Sequence, residues 1–191
     1  MINAQETDPL VISRQPGTIG DRFTVGFYFQ ALTRMLSSPA RFFNELPDEP
    51  GFGKPLGFLI ASSVFFAGAG ITTLAENRFL MAGIWLINAV VMPMIMAGIS
   101  FMVMTMSMGK RVTFQRLFSV YAFATGVTLL ASWIPLFVWI TEPWKWCLIV
   151  LGMVKGCAFR WTHAILVSAA SIFILIVLFW SVSPIIAYLK T

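Results

Sequence analysis

The sequence predicts an all-α integral membrane fold, a five-helix transmembrane bundle preceded by short amphipathic interfacial helices. Three observations predict it. Of 191 residues, 58% are hydrophobic and 11% charged, where soluble domains run nearer ~45–50% apolar and ~25% charged. The mean hydropathy is +0.83, and a soluble globule with so few charges could not cover that much apolar side chain. Long uncharged runs follow one another from Pro55 onward, and the basic residues collect between alternate runs.

Residues 1–22 carry Pro, Gly and mixed charge with no period; the expectation is a mobile polar tail. Residues 23–54 read as interfacial helices and a linker. Phe23, Phe27, Ala31 and Leu36 share a helical spacing, and Val25, Phe29, Leu32 and Met35 widen that face, with Gln30 and Arg34 on the other side. Such a helix can lie flat on a bilayer. A second short helix starts at Ser38 as N-cap with Pro39 in its first position. It carries Arg41, Phe42, Phe43 and Leu46 and stops at Pro47, before the turn-rich linker of residues 47–54.

Residues 55–191 form the membrane domain. A spanning helix needs roughly 20 apolar residues to cross ~30 Å of hydrocarbon. The runs expected to cross are residues 55–75, 79–108, 117–140, 144–159 and 164–189. Pro93 is the natural kink in the long second run, and Pro135 falls in the last turns of the third. The fourth is short and contains Lys155 near its end, where the side chain can snorkel; Thr141 and Pro143 help to start it. With the N-terminus cytoplasmic and five crossings, Arg14, Arg22, Arg34, Arg41, Lys54, Lys110, Arg111, Arg116, Lys155 and Arg160 lie inside, and Arg78, Lys145 and Lys190 outside. Excess Lys and Arg mark the cytoplasmic side. Trp133, Trp139, Trp144 and Trp146 bracket the third loop as an aromatic belt. The expected location is a membrane crossed several times, the cell (inner) membrane if the chain is prokaryotic, with the C-terminus outside.

Little in the chain suggests chemistry. There are eight carboxylates, one His and two Cys. The expected runs hold no Asp or Glu, whereas proton-coupled transporters place a carboxylate or His inside the bundle. Cys147 and Cys157 lie ten apart and read as buried thiols. With one His they do not make a zinc site, which takes about four ligands. The string Gly98-Ile99-Ser100-Phe101 lacks the second Gly of a nucleophile elbow, and His163 reads as the start of the fifth helix. The methionines at 92, 94, 96, 102, 104, 106 and 108 alternate at a period of two, which one helix face does not use; they read as packing. No catalytic residue, metal or cofactor is expected, and the dispersed net charge of +5 makes no nucleic-acid stripe.

The candidate residues are therefore contacts. Phe27, Arg34, Pro39, Arg41, Phe42 and Phe43 are expected at the membrane surface, with aromatics in the leaflet and arginines on anionic headgroups. Ala122/Gly126 and Gly152/Gly156, small residues at spacing four, are expected at close helix contacts within the bundle or between protomers, and Asn88 as an interhelical clasp.

The order of Leu36-x-x-Pro39-x-x-Phe42-Phe43, Lys54-Pro55-Leu56, and Phe114-Gln115-Arg116-Leu117-Phe118-Ser119-Val120-Tyr121-Ala122 resembles the Yip1-domain membrane proteins. The resemblance implies five spans and a cytoplasmic N-terminus. In eukaryotic relatives it implies vesicle traffic and contact with small prenylated Rab GTPases and sibling proteins. Those relatives carry an acidic-Leu-Tyr-Gly-Pro string before the first span. Here Pro47-Asp48-Glu49-Pro50-Gly51-Phe52-Gly53 stands in its place, which favours a prokaryotic-type member and makes small GTPase binding doubtful. The expected function is non-enzymatic: binding to the bilayer, to other membrane proteins or to itself. The alternative is a transport component (pore, permease subunit or exporter) formed by oligomerisation.

Overall fold

A computed structural model describes residues 23–47, 50–73, 77–109 and 112–189. The tail of residues 1–22 lies outside them, as do Lys110, Arg111 and Lys190 of the charge pattern. The described residues form seven α-helices: α1 (Val25–Ser37), α2 (Pro39–Asn44), α3 (Gly53–Gly70), α4 (Arg78–Met108), α5 (Phe114–Ser132), α6 (Val138–Gly156) and α7 (Trp161–Leu189).

Local chemistry sets their ends. Thr24 accepts the Phe27 backbone N–H at 3.3 Å and caps α1, as short hydroxyl side chains do. Pro39 stands in the first turn of α2, where its missing N–H costs nothing. Helix α4 ends at Gly109, whose φ of 56° is left-handed and suits a residue without Cβ. Pro93 lies inside α4, buried.

Two boundaries differ from the sequence expectation. The third run was expected to continue to residue 140, yet α5 stops at Ser132 and α6 begins at Val138. The cause is Pro135. A residue before proline is pushed out of the α region, and Ile134 is extended, at φ −88° and ψ 117°. A single 3-10 turn, Pro135–Phe137, then reverses the chain, so residues 138–143 join the following helix and Pro143 sits inside it. In addition, α3 ends at Gly70, short of residue 75, and tightens into the 3-10 turn Ile71–Thr73.

Helix α5 is the hub. Residues 117–124 are all buried, and α5 packs on α3, α4 and α6. Helix α7 closes the other side, against α4 and α6, and α2 packs on α6. Glycines set the closest approaches: a Cβ on Gly126 would stand 2.7 Å from the Phe58 ring, and one on Gly152 2.5 Å from Val120 Cγ1. In lipid, where helices gain nothing by hiding apolar surface from one another, close backbone approach is a main source of association. Among the described residues three helices, α4, α5 and α7, are long and apolar enough to cross a membrane. Helices α3 and α6, at 18 and 19 residues, do not meet that criterion; α6 carries Glu142, Lys145 and Lys155.

Candidate functional site

Two regions gather the residues singled out above. The first is the α1–α2 unit. Helix α1 carries two apolar stripes. Its inward stripe, Ala31 and Met35 with half-buried Phe27 and Tyr28, joins the core. Phe27 meets Phe123 with ring centroids 6.3 Å apart, and Lys54 Nζ lies 5.6 Å from its ring. The Tyr28 and Ser62 hydroxyls are hydrogen-bonded at 3.2 Å. Its outward stripe is Val25, Phe29 and Leu36, exposed by 69%, 60% and 61%. These lie at i, i+4 and i+11, on one side of a helix.

Helix α2 is the plug. Phe43 is fully buried. Its ring lies against Gly152, 3.2 Å from where a Cβ would stand, and its carbonyl oxygen 3.4 Å from the same point on Gly156. Gly152 and Gly156 thus form a notch that Phe43 and Val120 of the same chain already fill. Phe42 is half-buried and meets the Phe123 ring edge-on at 5.0 Å. Pro39 is half-buried, Arg41 is exposed, and Arg34 reaches Glu45 at 3.5 Å in an open ion pair, which adds little to stability. The six sequence candidates thus meet in one unit, but Phe43 points into the bundle and the outward apolar groups are Val25, Phe29 and Leu36. The sequence read one wide apolar face where the structure divides it in two.

The second region is a cavity of about 530 Å³. Helices α4, α5, α6 and α7 pack as a ring in which α4 contacts α5 and α7, and α6 contacts α5 and α7. The space between α4 and α6 is the cavity, within the ~300–1,000 Å³ typical of small-molecule sites. Tyr121, at its deep end, belongs to a buried hydrogen-bonded triad. The Ser100 hydroxyl lies 2.6 Å from that of Tyr121 and donates to Ser171 Oγ at 2.8 Å; Ser171 donates to the Val167 carbonyl at 2.7 Å. This ties α4, α5 and α7 at one level. Met92, Pro93, Met96, Leu129, Ile149 and Leu175 line the walls above it. Trp85, Asn88, Ser132, Glu142, Lys145 and Trp146 stand at the other end. There Lys145 Nζ meets Glu142 at 2.7 Å, with side-chain exposures of 21% and 52%, and the Ser132 and Thr141 hydroxyls are 3.1 Å apart.

The remaining candidates separate. Asn88 lines the cavity and makes no interhelical hydrogen bond among the described residues. Ala122 and Gly126 are buried, Gly126 against Phe58 of α3. Cys157 is buried but Cys147 is exposed; its position on α6 turns it away from the core that Leu148 and Ile149 join. Sequence reasoning missed the triad, although three hydroxyls inside uncharged runs were a signal, since a polar group in hydrocarbon needs a partner.

Helices of this length and hydropathy, joined by buried hydroxyls such as those of Ser100, Tyr121 and Ser171, define an all-helical membrane protein. Within that class the chain belongs to the Yip1 domain family, whose model matches residues 33–182. That span holds α2 to α6 entire, most of α7, and the last turn of α1 with Arg34. No curated protein and no solved structure matches the chain.

Proposed function

We propose that this protein is a non-enzymatic, multi-pass membrane protein with five crossings that works by binding, through the α1–α2 unit, to the lipid surface and to other membrane proteins or a second copy of itself. The observation that carries this is the division of α1. Its inward stripe and Phe43 clamp the unit to the end of the bundle, so Val25, Phe29 and Leu36 are presented on a fixed support. A held apolar stripe suits the boundary between headgroups and acyl chains, and the exposed Arg34 and Arg41, where α1 meets α2, can meet anionic headgroups. At 1.5 Å per residue, α3 and α6 reach about 27 and 28 Å, close to the ~30 Å hydrocarbon core, which supports five crossings. Ten basic residues against three support a cytoplasmic N-terminus and an outside C-terminus in a cell membrane. The hydroxyl of Ser100 is engaged by Tyr121 and Ser171, and His163 lies eight residues from Ser171, about 12 Å along the axis, which supports a role without catalysis.

The test is a nitroxide label on Phe29→Cys in the full chain, in a cysteine-free background reconstituted into vesicles with anionic lipid. Strong relaxation by oxygen and weak relaxation by a water-soluble nickel reagent is the expected result. A label as open to nickel as one on Arg41→Cys would overturn the lipid contact.

The cavity favours a second reading, a transport component. It lies within one chain, and the Gly152–Gly156 notch is filled by Phe43, so such a path would not need oligomerisation through those glycines. Solute flux in reconstituted vesicles would separate this reading from the first.

A further inference from the structure

We infer that the cavity between α4 and α6 holds one acyl chain of a zwitterionic phospholipid from the leaflet at the α5–α6 turn. The cavity is graded along its length. From Met96 to Trp85 on α4 is eleven residues, about 16 Å, and from Tyr121 to Ser132 on α5 also eleven residues, about 16 Å. One leaflet of hydrocarbon is about 15 Å deep, half of ~30 Å. The cavity therefore runs from the membrane boundary to the level where one layer of acyl chains ends. There Tyr121 lines it, its hydroxyl bonded to Ser100, which donates in turn to Ser171.

The chemistry changes with depth in the matching order. Met92 and Leu129 line the first turns below the mouth, and Met96 and Leu175 the deeper part. Thr128, also in the wall, bonds its hydroxyl to the carbonyls of Ala124 and Thr125, and so presents its methyl. Glu142 and Lys145 stand at the mouth as one negative and one positive group, matched to the ammonium and phosphate of a zwitterionic head. Trp85 and Trp146 flank them, rings of the kind that settle at headgroup level.

The side of the cavity is open. Helix α7 contributes Leu175 to its wall, but every side chain from Ile176 to Ser181 is exposed, Trp180 by 81%. Six consecutive helical residues cover all directions around the axis, so residues 176–181 of α7 stand away from the bundle. A chain can enter from the lipid between α4 and α6 without crossing a protein wall.

The inference rests on the bundle standing in a bilayer, and its test separates the two. The full chain is placed in nanodiscs of phosphatidylcholine bearing a diazirine midway along one acyl chain, irradiated, and its adducts mapped by mass spectrometry. Adducts are expected on Met92, Met96 or Leu129. Thr125→Trp, which fills the cavity, should lower them severalfold and leave those on the outward residues Ile87 and Met94 unchanged. Labelling of Ile87 and Met94 without the cavity residues in the unaltered protein overturns the inference alone. Absence of adducts at all five residues overturns the membrane reading with it. Reaction of Leu129→Cys, in a chain otherwise free of cysteine, with a membrane-impermeant thiol reagent would show a water-filled vestibule and also overturn it.

Discussion

Gly152→Ala tests the packing that holds the α1–α2 unit on the bundle. A Cβ there would stand 2.5 Å from Val120 Cγ1 and 3.2 Å from the Phe43 ring. Carbon atoms attract best at ~3.5–4.0 Å, so Val120 or the backbone of α6 must retreat by about 1 Å. Val120 and Phe43 are both fully buried, and overfilling a close-packed site costs about 1–3 kcal/mol. Against this, alanine gains about 1 kcal/mol over glycine within a helix. The single variant should therefore lose about 0–2 kcal/mol. The decisive comparison uses Val120→Ala, which removes the offending methyl. In that background Gly152→Ala should be neutral or stabilising by up to about 1 kcal/mol, giving a coupling of about 1–3 kcal/mol between the two positions. Denaturation of the four proteins in one detergent measures it. If Gly152→Ala has the same effect in both backgrounds within ~0.5 kcal/mol, the additivity expected of independent sites, the notch does not work as described.

Three further outcomes follow from the same contacts. Phe43→Ala should cost about 3–5 kcal/mol of packing, read as faster amide hydrogen exchange in α1 and α2 with little change in α4. Tyr121→Phe removes one bond of the triad and leaves Ser100 still donating to Ser171, so the denaturation midpoint should fall by the equivalent of about 0.5–1.5 kcal/mol. Ala158 has a left-handed φ of 54°, which costs a non-glycine residue about 1–2 kcal/mol. Ala158→Gly should raise stability by about 0.5–1 kcal/mol in the same assay, after the extra chain entropy of glycine is subtracted.

The class of the molecule was legible because composition and uncharged run length respond directly to the solvent a chain must satisfy. Helices α4 and α7 follow the runs within a few residues, and Pro39 marked the start of α2. The α5–α6 boundary was misjudged because hydropathy is continuous through residues 133–140, and the break is steric, set by Pro135 on Ile134. The two stripes of α1 could not be separated in sequence, since Val25 and Phe29 are as apolar as Phe27 and Ala31; only the position of Phe123 and Met35 in the fold divides them. The Gly152–Gly156 spacing announced a close approach, but not that the partner would be Phe43, more than a hundred residues earlier. The cavity was invisible for a related reason. Its residues come from five helices, and it exists because α4 and α6 each pack on α5 and α7.

The central claim is that the helices from α3 to α7 thread a bilayer an odd number of times, with α1 and α2 on the cytoplasmic side. The most direct measurement places single cysteines at Ser37 and at Thr191 in a cysteine-free chain and labels sealed vesicles of known orientation with an impermeant reagent. The account predicts that Ser37→Cys reacts only from the cytoplasmic side and Thr191→Cys only from the opposite side. Reaction of both from one side would contradict it.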